Sequence, residues 1–197
     1  MTLTSPAGFD VPPIDPALGA VVETGRGTLP FALVHGESLV ACAAWALGDA
    51  GVTAVDLGTP WDAVQESGEA FVLHDPLCPL TPAWFVAECT ARAQADGAVV
   101  VGVRPVTDTV KEVDADGRVV GTVDRADLVA VASPVVLPPA VVASLEGLPS
   151  LDLAELVDAL RRRYPVTMVE APPEARRVAS VEDLRLLEAL TARPGSL

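Results

Sequence analysis

Apolar residues fall into short, nearly continuous runs, and longer segments with helical spacing separate them. The most apolar run, at residues 97–106, is typical of a strand covered on both faces of a parallel sheet. Further strands are predicted at about residues 20–22, 52–57, 70–74, 128–137 and 166–170. Strands that alternate with helices in this way indicate a sheet with helices on both faces. The pattern therefore predicts a three-layer α/β fold.

The predicted helices have recognisable starts. Ser38 can cap a helix that runs to about residue 47. Thr81-Pro82 can open another that reaches about residue 96, because threonine accepts from free amides and proline needs no N–H in a first turn. A helix over residues 151–164 has an acidic first turn and a basic end, which complements the helix dipole. Ser180 and the acids after it resemble a capping box that opens a last helix to about residue 192. Shorter helices are expected at residues 61–68 and 139–146.

Residues 103–125 interrupt this alternation with a charged segment that is too long for a simple loop. Two short runs, at residues 109–113 and 118–123, flank Asp116-Gly117, and this turn favours a β-hairpin because glycine adopts positive φ without steric cost. Charge on both faces prevents the hairpin from burying itself against its own domain, and a lone two-stranded ribbon is barely stable. We therefore expect a projecting arm at about residues 107–126 that packs on a partner.

Length and composition limit the remaining possibilities. The chain of 197 residues fits one domain. Prolines without periodicity predict a flexible lead-in over residues 1–19, so the domain is expected to span residues 20–197. No apolar run reaches the length of about 18 residues that a membrane span needs, and no secretory signal pattern opens the chain. These features predict a cytoplasmic protein that does not enter a membrane.

The charge of the chain restricts its ligands. A formal net charge of −14 is unfavourable for binding nucleic acid or an anionic membrane, so an anionic ligand needs a local basic pocket. Lys111 is the only lysine in the chain. The three cysteines lack metal-ligand spacing and are expected to be buried, reduced thiols.

Five short elements follow one another in an order that resembles a known enzyme family. They are His74-Asp75-Pro76-Leu77-Cys78-Pro79, Pro105-Val106-Thr107-Asp108-Thr109-Val110-Lys111, Thr122-Val123-Asp124-Arg125, Ser133-Pro134 and Val181-Glu182-Asp183-Leu184. The 2-C-methyl-D-erythritol 4-phosphate cytidylyltransferases, which join CTP to methylerythritol phosphate in isoprenoid precursor synthesis, have similar elements in the same order. The resemblance covers the chain from about residue 18 onward.

This resemblance implies a fold, a partner and a set of site residues. The fold would be a Rossmann-like nucleotidyltransferase with a mixed, glycosyltransferase-A-like sheet, and the arm would clasp a second copy to form a homodimer. Asp75 would lie near the ribose, a Mg²⁺ ion and the substrate phosphate, and Arg177 stands at the position of a late catalytic lysine. Gly25, Arg26 and Gly27 would form the nucleotide-binding loop. By the same resemblance, Thr109 and Arg125 would contact methylerythritol phosphate across the dimer.

The chain also departs from the family pattern where charge is needed. The glycine-rich loop is reduced to residues 24–27, Phe31 stands where the family has the lysine of a P-K pair, and Cys78 replaces an arginine. Because Lys111 is the only lysine, no other lysine can substitute. Losing one preorganised charge donor costs on the order of 100- to 1,000-fold in rate. The departures predict impaired or lost cytidylyl transfer. The alternative is a non-catalytic dimeric binding or interaction module on the same fold.

Simpler interpretations remain open for the individual residues. Asp75 can be a strand-end carboxylate that only solvates a loop, whereas its place beyond the carboxyl end of a strand favours ligand binding. Arg26 can be a solvated turn residue, because so short a loop offers few amides to a phosphate. Thr109 and Arg125 can serve the arm or the dimer instead of the substrate. His74 is expected to face the core.

Overall fold

The computed structural model describes residues 11–106, 110–113, 117–123 and 128–192. Its strands are β1 (Ala17–Val21), β2 (Leu33–Val34), β3 (Glu37–Ser38), β4 (Thr53–Ala54), β5 (Ala70–His74), β6 (Val99–Pro105), β7 (Val110–Val113), β8 (Val119–Val123), β9 (Val129–Leu137) and β10 (Val166–Glu170). Its helices are α1 (Leu39–Asp49), α2 (Trp61–Ser67), α3 (Ala83–Asp96), α4 (Pro139–Ser144), α5 (Leu153–Leu160) and α6 (Val181–Thr191). Within these ranges, no helix combines the length and apolar character needed to cross a membrane.

Six of these strands form the central sheet, in the order β10-β6-β9-β5-β1-β4. The pairs β1 with β4, β1 with β5, and β10 with β6 are parallel, whereas β9 runs antiparallel to both β5 and β6. The carboxyl ends of β1, β5, β6 and β10 therefore share one edge, and β9 enters the sheet from that edge. The predicted mixed sheet is confirmed.

Apolar packing on both faces of the sheet produces the three layers. Helices α1 and α3 contact strands on one side, and their buried side chains include Leu47, Phe85 and Val86. Helix α4 contacts β5 and helix α5 contacts β9 on the other side, where Val142, Leu156 and other apolar side chains are buried. Helix α6 belongs to a smaller cluster. Apolar β5 and valine-rich β6 are buried on both faces, as their sequences predict.

The helix starts agree with the sequence in two cases and differ in one. Ser38 Oγ accepts from the Ala41 N–H at 3.3 Å, and Ser180 Oγ accepts from the Asp183 N–H at 3.1 Å. The expectation that Thr81 caps α3 is wrong. Pro82 occupies the N-cap position, and the Thr81 hydroxyl donates to the Cys78 carbonyl at 2.8 Å. The threonine therefore closes the preceding turn instead of the helix.

Helix α5 is shorter than the expected span of residues 151–164. Asp152 is its N-cap, with Oδ1 accepting from the Ala154 N–H at 2.9 Å, and the helix ends at Leu160. The basic residues follow the helix, so they do not form its last turn. Arg161 and Arg162 instead pair with the exposed Asp158.

The ordered domain begins before the expected boundary at residue 20. Strand β1 starts at Ala17, and Val11 and Ile14 pack against the core. The Gln94 side chain also donates to the Asp15 carbonyl at 2.9 Å. The expected lead-in over residues 1–19 therefore extends too far, because its apolar side chains find partners in the core.

The expected hairpin is present in the described residues. Strands β7 and β8 form an antiparallel sheet of their own, with Val110 opposite Val123 and a register shift between Glu112 and Val113. Gly117 has φ of 80°, as the Asp-Gly turn predicts. The two strands of the predicted hairpin are thus confirmed, whereas a projecting arm over residues 107–126 stays a prediction, and residues 107–109, 114–116 and 124–126 lie outside the described residues.

A glycine allows the two strands at the centre of the sheet to approach closely. A Cβ atom at Gly102 would lie 2.7 Å from the Ser133 carbonyl oxygen and 3.2 Å from the Phe85 ring. A side chain at this position would force β6 and β9 apart, because the atoms that it meets belong to the Ser133 backbone and not to a flexible side chain. Gly102 thus permits the close approach of Ser133, whose hydroxyl accepts from the Asp75 N–H.

Candidate functional site

Three charged residues from distant parts of the chain meet at the carboxyl edge of the sheet. Asp75 directly follows β5, Arg26 lies in the loop after β1, and Arg177 lies beyond β10. They line a cavity of about 460 Å³, together with the first residues of β9 and the start of α5. Ligands of open α/β sheets bind at this edge, because loops from several strands converge there. The structure therefore brings together three of the residues that the sequence singled out.

Asp75 is the centre of this group. Its side chain is 4% exposed, and the Arg26 Nε lies 3.3 Å from both carboxylate oxygens. Arg177 Nε donates to Oδ2 at 3.2 Å, and the Leu77 N–H donates to Oδ1 at 2.9 Å. One buried carboxylate thus holds two guanidinium groups, and both of its oxygens are occupied.

Ser133 and His74 form a buried, hydrogen-bonded pair next to Asp75. The Asp75 N–H donates to Ser133 Oγ at 3.0 Å, and the same hydroxyl hydrogen-bonds His74 Nδ1. His74 is fully buried, as expected from the sequence, and its Nε2 has no hydrogen-bond partner among the described residues. Burial lowers the pKa of the imidazole to about 4, although the neighbouring Asp75 charge acts in the opposite direction. The His74 imidazole is therefore neutral at physiological pH.

This buried imidazole predicts a pH-dependent stability. Between pH 6.5 and about 4, His74 is protonated in the unfolded chain but stays neutral in the folded protein. The free energy of unfolding is therefore highest above this window and decreases as the pH falls through it. The wild-type free energy of unfolding should fall by about 3 kcal/mol more than that of His74→Gln across the window. Urea titrations at several pH values measure this difference.

The matched control is His35→Gln, which removes the other histidine of the chain at an exposed position. Parallel pH profiles for the wild type and His74→Gln would contradict the assignment of a neutral buried imidazole.

The short glycine loop directs Arg26 into the cavity. Gly25 and Gly27 have φ of 78° and 64°, a region that side chains rarely adopt, so both turns require glycine. Between them, the Arg26 side chain is 8% exposed, and its Nη2 group donates to the Leu151 carbonyl at 3.3 Å. The interpretation of Arg26 as a solvated turn residue is therefore wrong. Nucleotide binding by this loop stays a prediction.

The two positions at which the resemblance expects basic residues have opposite environments. Phe31 is 62% exposed and does not line the cavity. Cys78 is completely buried, and its pKa is raised above the usual range by burial and by Asp75, against the lowering effect of Arg177, Arg26 and Arg104. Neither phenylalanine nor cysteine supplies the positive charge that the resemblance expects at these two positions. Thr109 and Arg125 lie outside the described residues, so their substrate role stays a prediction.

A Mg²⁺ ion was expected at Asp75. Protein-bound Mg²⁺ needs free carboxylate oxygens, generally together with substrate phosphates. Both Asp75 oxygens already accept from arginine, and no cluster of three metal-ligating side chains occurs in residues 11–106, 110–113, 117–123 and 128–192. This arrangement does not fit a metal ion held by Asp75 unless an arginine moves away, and the Mg²⁺ site stays a prediction.

The structure adds residues that sequence reasoning did not assign to the site. Arg104, Arg176 and Ser133 all lie at the same edge of the sheet, and the Leu151 carbonyl contacts Arg26. The Ser133-Pro134 element could have indicated Ser133, and the position of Arg104 at the end of an apolar strand could have indicated that residue. The carbonyl had none, because a backbone contact across 125 residues depends on the fold alone.

The mixed sheet, its two helical layers and the charged cavity at its carboxyl edge define a nucleotidyltransferase-type α/β protein. The fold is similar to that of the 2-C-methyl-D-erythritol 4-phosphate cytidylyltransferase of Thermus thermophilus, with a TM-score of 0.67, 25% identity, and coverage of 91% of this chain and 100% of that chain. A 4-diphosphocytidyl-2C-methyl-D-erythritol synthase from Anaerococcus prevotii also shares the fold, with a TM-score of 0.64, 16% identity, and coverage of 90% of this chain and 97% of that chain.

Sequence similarity narrows this class to one family. Residues 48–193 match the family model of 2-C-methyl-D-erythritol 4-phosphate cytidylyltransferase, and the chain belongs to this family. The cytidylyltransferase of Frankia casuarinae is 43% identical over 135 residues, which cover 66% of this chain and 50% of that protein. The one from Nocardia farcinica is 38% identical over 129 residues, which cover 64% of this chain and 55% of that protein. The chain spans about half the length of these curated relatives.

Proposed function

We propose that this chain is a divergent cytidylyltransferase in which CTP-dependent transfer to a phosphorylated polyol is strongly reduced or lost. The observation that carries the proposal is the ion-pair centre, in which Asp75 engages both Arg26 and Arg177. The family match begins at residue 48, so it includes Asp75 and Arg177 but not the Arg26 loop or Phe31. The family match thus covers two members of the ion-pair centre, Asp75 and Arg177, and leaves out the third, Arg26.

The chemistry explains why this arrangement lowers the rate. In cytidylyl transfer, a substrate phosphate attacks the α-phosphorus of CTP, and charge on the phosphoryl oxygens must be offset by positioned cations. Here the Arg26 and Arg177 guanidiniums are directed to a carboxylate, and Phe31 provides no ammonium group. A triphosphate would have to separate these ion pairs before it gained any stabilisation from them.

The remaining roles follow the family pattern as parts of this proposal. Gly25, Arg26 and Gly27 contact the nucleotide, and Asp75 and Arg177 act at the reacting phosphates. The arm over residues 107–126 joins two copies, so that Thr109 and Arg125 of one copy reach methylerythritol phosphate in the site of the other. Mg²⁺ enters with the nucleotide phosphates.

A non-catalytic binding module is the second candidate. The occupied oxygens of Asp75 favour it, because a closed ion-pair centre gives the chain a stable resting arrangement without any nucleotide. In that case the fold and the arm retain a binding role, and transfer is absent.

Calorimetric titration with CTP and Mg²⁺, followed by an assay for CDP-methylerythritol, tests the proposal. We expect weak CTP binding and product formation at least about 100-fold below that of a family enzyme such as the Thermus protein. Loss of the residual activity in Asp75→Ala would assign it to this site. Turnover equal to the Thermus enzyme would contradict the proposal, and no binding at millimolar CTP would leave the non-catalytic candidate.

A further inference from the structure

The two edge strands of the central sheet differ in length and regularity. Strand β4 forms one edge and contains only two residues, Thr53 and Ala54. Strand β10 forms the other edge with five residues, and its register with β6 runs from Val166 to Glu170 without a shift. Short strands, bulges, lysines and prolines usually keep an edge from pairing with another chain. Strand β4 is protected by its shortness, whereas β10, which is described throughout, has none of these features.

Strand β6 holds alternate residues of β10. The Pro165 carbonyl accepts from a β6 N–H at 3.0 Å, and the Ala171 N–H donates to a β6 carbonyl at 2.8 Å. Every second residue of a parallel strand bonds to the same neighbour. Thr167 and Val169, which lie between these two bonds in the same phase, therefore direct their backbone groups to β6.

The other three residues of β10 direct their backbone N–H and C=O groups away from the sheet. These outer residues are Val166, Met168 and Glu170. Among the described residues, none forms a hydrogen bond with the outer backbone groups. The Met168 side chain, at the centre of the strand, is also 50% exposed. An unpaired edge with an exposed apolar side chain is a template for the addition of another strand.

The sequence of β10 fits an antiparallel copy of itself. With Met168 opposite the second copy's Met168, Val166 is opposite Glu170, so that every outer residue meets an outer residue. Opposed residues of this kind exchange two N–H···O=C bonds. The two copies are then related by a twofold axis at the Met168 pair, and twofold dimers are the commonest assemblies of identical chains.

Charge favours this antiparallel direction. Glu170 is the only ionisable side chain of β10, and a parallel copy would bring the two carboxylates close together. In the antiparallel copy they are separated by the distance from Val166 to Glu170, about 13 Å. This separation exceeds the Debye length of about 8 Å at physiological salt. The exposed Arg163 precedes β10 and the exposed Glu174 follows it, so the basic end of one copy lies beside the acidic end of the other.

We propose that β10 pairs in antiparallel fashion with β10 of a second copy, so that the central sheet continues into the partner. A five-residue edge buries less area than a standard interface, so we expect a weak dimer that forms at high protein concentration. The arm proposed above uses residues 107–126, so the β10 edge is a separate contact surface. It depends on neither CTP nor methylerythritol phosphate.

Amide hydrogen exchange, measured by NMR at low and at high protein concentration, tests the pairing. We expect the amides of Val166, Met168 and Glu170 to exchange about 10-fold more slowly at high concentration. The Thr167 and Val169 amides bond to β6, so they should exchange slowly at both concentrations. This alternation along one strand is specific to pairing at the β10 edge. Sedimentation velocity on the same samples should show a dimer.

Met168→Lys is the variant that should block the pairing, because it places two lysines against each other at the centre of the edge. It should lose the concentration-dependent protection, while slow exchange of Thr167 and Val169 shows that β10 stays paired with β6. Leu190→Lys is the matched control, since it makes the same change at an apolar side chain of α6 that is 67% exposed. Its exchange should equal that of the wild type.

Fast exchange of the outer amides at every concentration would overturn the proposal, and so would their protection in Met168→Lys. Equal loss of protection in Leu190→Lys would overturn it as well, because the effect would then be one of charge in general. A dimer without protected outer amides would place the contact on another surface and likewise overturn it. Because no nucleotide is present, these results are independent of the test for cytidylyl transfer.

Discussion

Replacing Phe31 with lysine should raise the rate of CDP-methylerythritol formation by about 100-fold. By the resemblance, Phe31 stands at the position of the lysine in the family's P-K pair, directly after the buried Pro30. In the proposed function, a lysine there would offer an ammonium group to the CTP phosphates, because the Arg26 and Arg177 guanidiniums are paired with Asp75. The Phe31 side chain is 62% exposed, so the substitution costs little packing. Initial rates with saturating CTP and Mg²⁺ measure the gain.

Leu33→Lys is the control for this gain of function. Leu33 is 59% exposed and lies two residues further along the chain, so its substitution adds the same charge in nearly the same place. Its rate should stay at the wild-type level. Equal gains in both variants would show that general attraction of CTP, and not a lysine at position 31, limits the rate. No gain in either would place the defect in the ion-pair centre itself.

Removing the central carboxylate should destabilise the fold more than removing its exposed partner. In Asp75→Asn the Arg26 guanidinium, whose side chain is 8% exposed, keeps its charge in a buried place without compensation. Breaking a buried pair in this way costs about 3 to 5 kcal/mol. Arg177 is 43% exposed, so Arg177→Gln should cost less than about 1 kcal/mol, because solvent screens that pair. Urea unfolding at neutral pH measures both values.

The chain contains a matched control for this comparison. Asp158 also pairs with two arginines, Arg161 and Arg162, but at the surface, where these arginines lower its pKa. Asp158→Asn should therefore leave the free energy of unfolding nearly unchanged. Equal effects of Asp75→Asn and Asp158→Asn would mean that burial does not determine the strength of the Asp75 centre. Higher stability of Asp75→Asn would show that the carboxylate is retained for binding at a cost to the fold.

Sequence reasoning succeeded where local chemistry determines structure. The β5 strand and the Asp75 beyond it follow from a short apolar run, and Ser38 and Ser180 mark their helices because a serine hydroxyl satisfies free amides. The Asp116-Gly117 turn predicted a hairpin because the backbone preference of glycine is also local.

The failures have a different origin, namely tertiary contacts. Thr81 donates to a carbonyl that a local pattern does not reveal, and residues 11–19 are ordered because Val11 and Ile14 find partners on the core. Arg26 contacts Asp75 and Leu151, which are 49 and 125 residues away. The sequence identified Arg26 and Asp75 separately, whereas their pairing depends on the order of strands in the sheet.

The hydrogen bonding between β6 and β9 continues past the last paired residues of the central sheet, toward the β7–β8 hairpin. Arg104 is opposite Ala130, Pro105 is opposite Val129, and the Val106 N–H still donates to the Leu128 carbonyl at 3.2 Å. In chain order the β7–β8 hairpin therefore lies between β6 and β9, and the first residues of β9 form a wall of the Asp75 cavity. If a second copy binds this hairpin, as proposed above, we expect its effect to reach that wall through the paired strands β6 and β9.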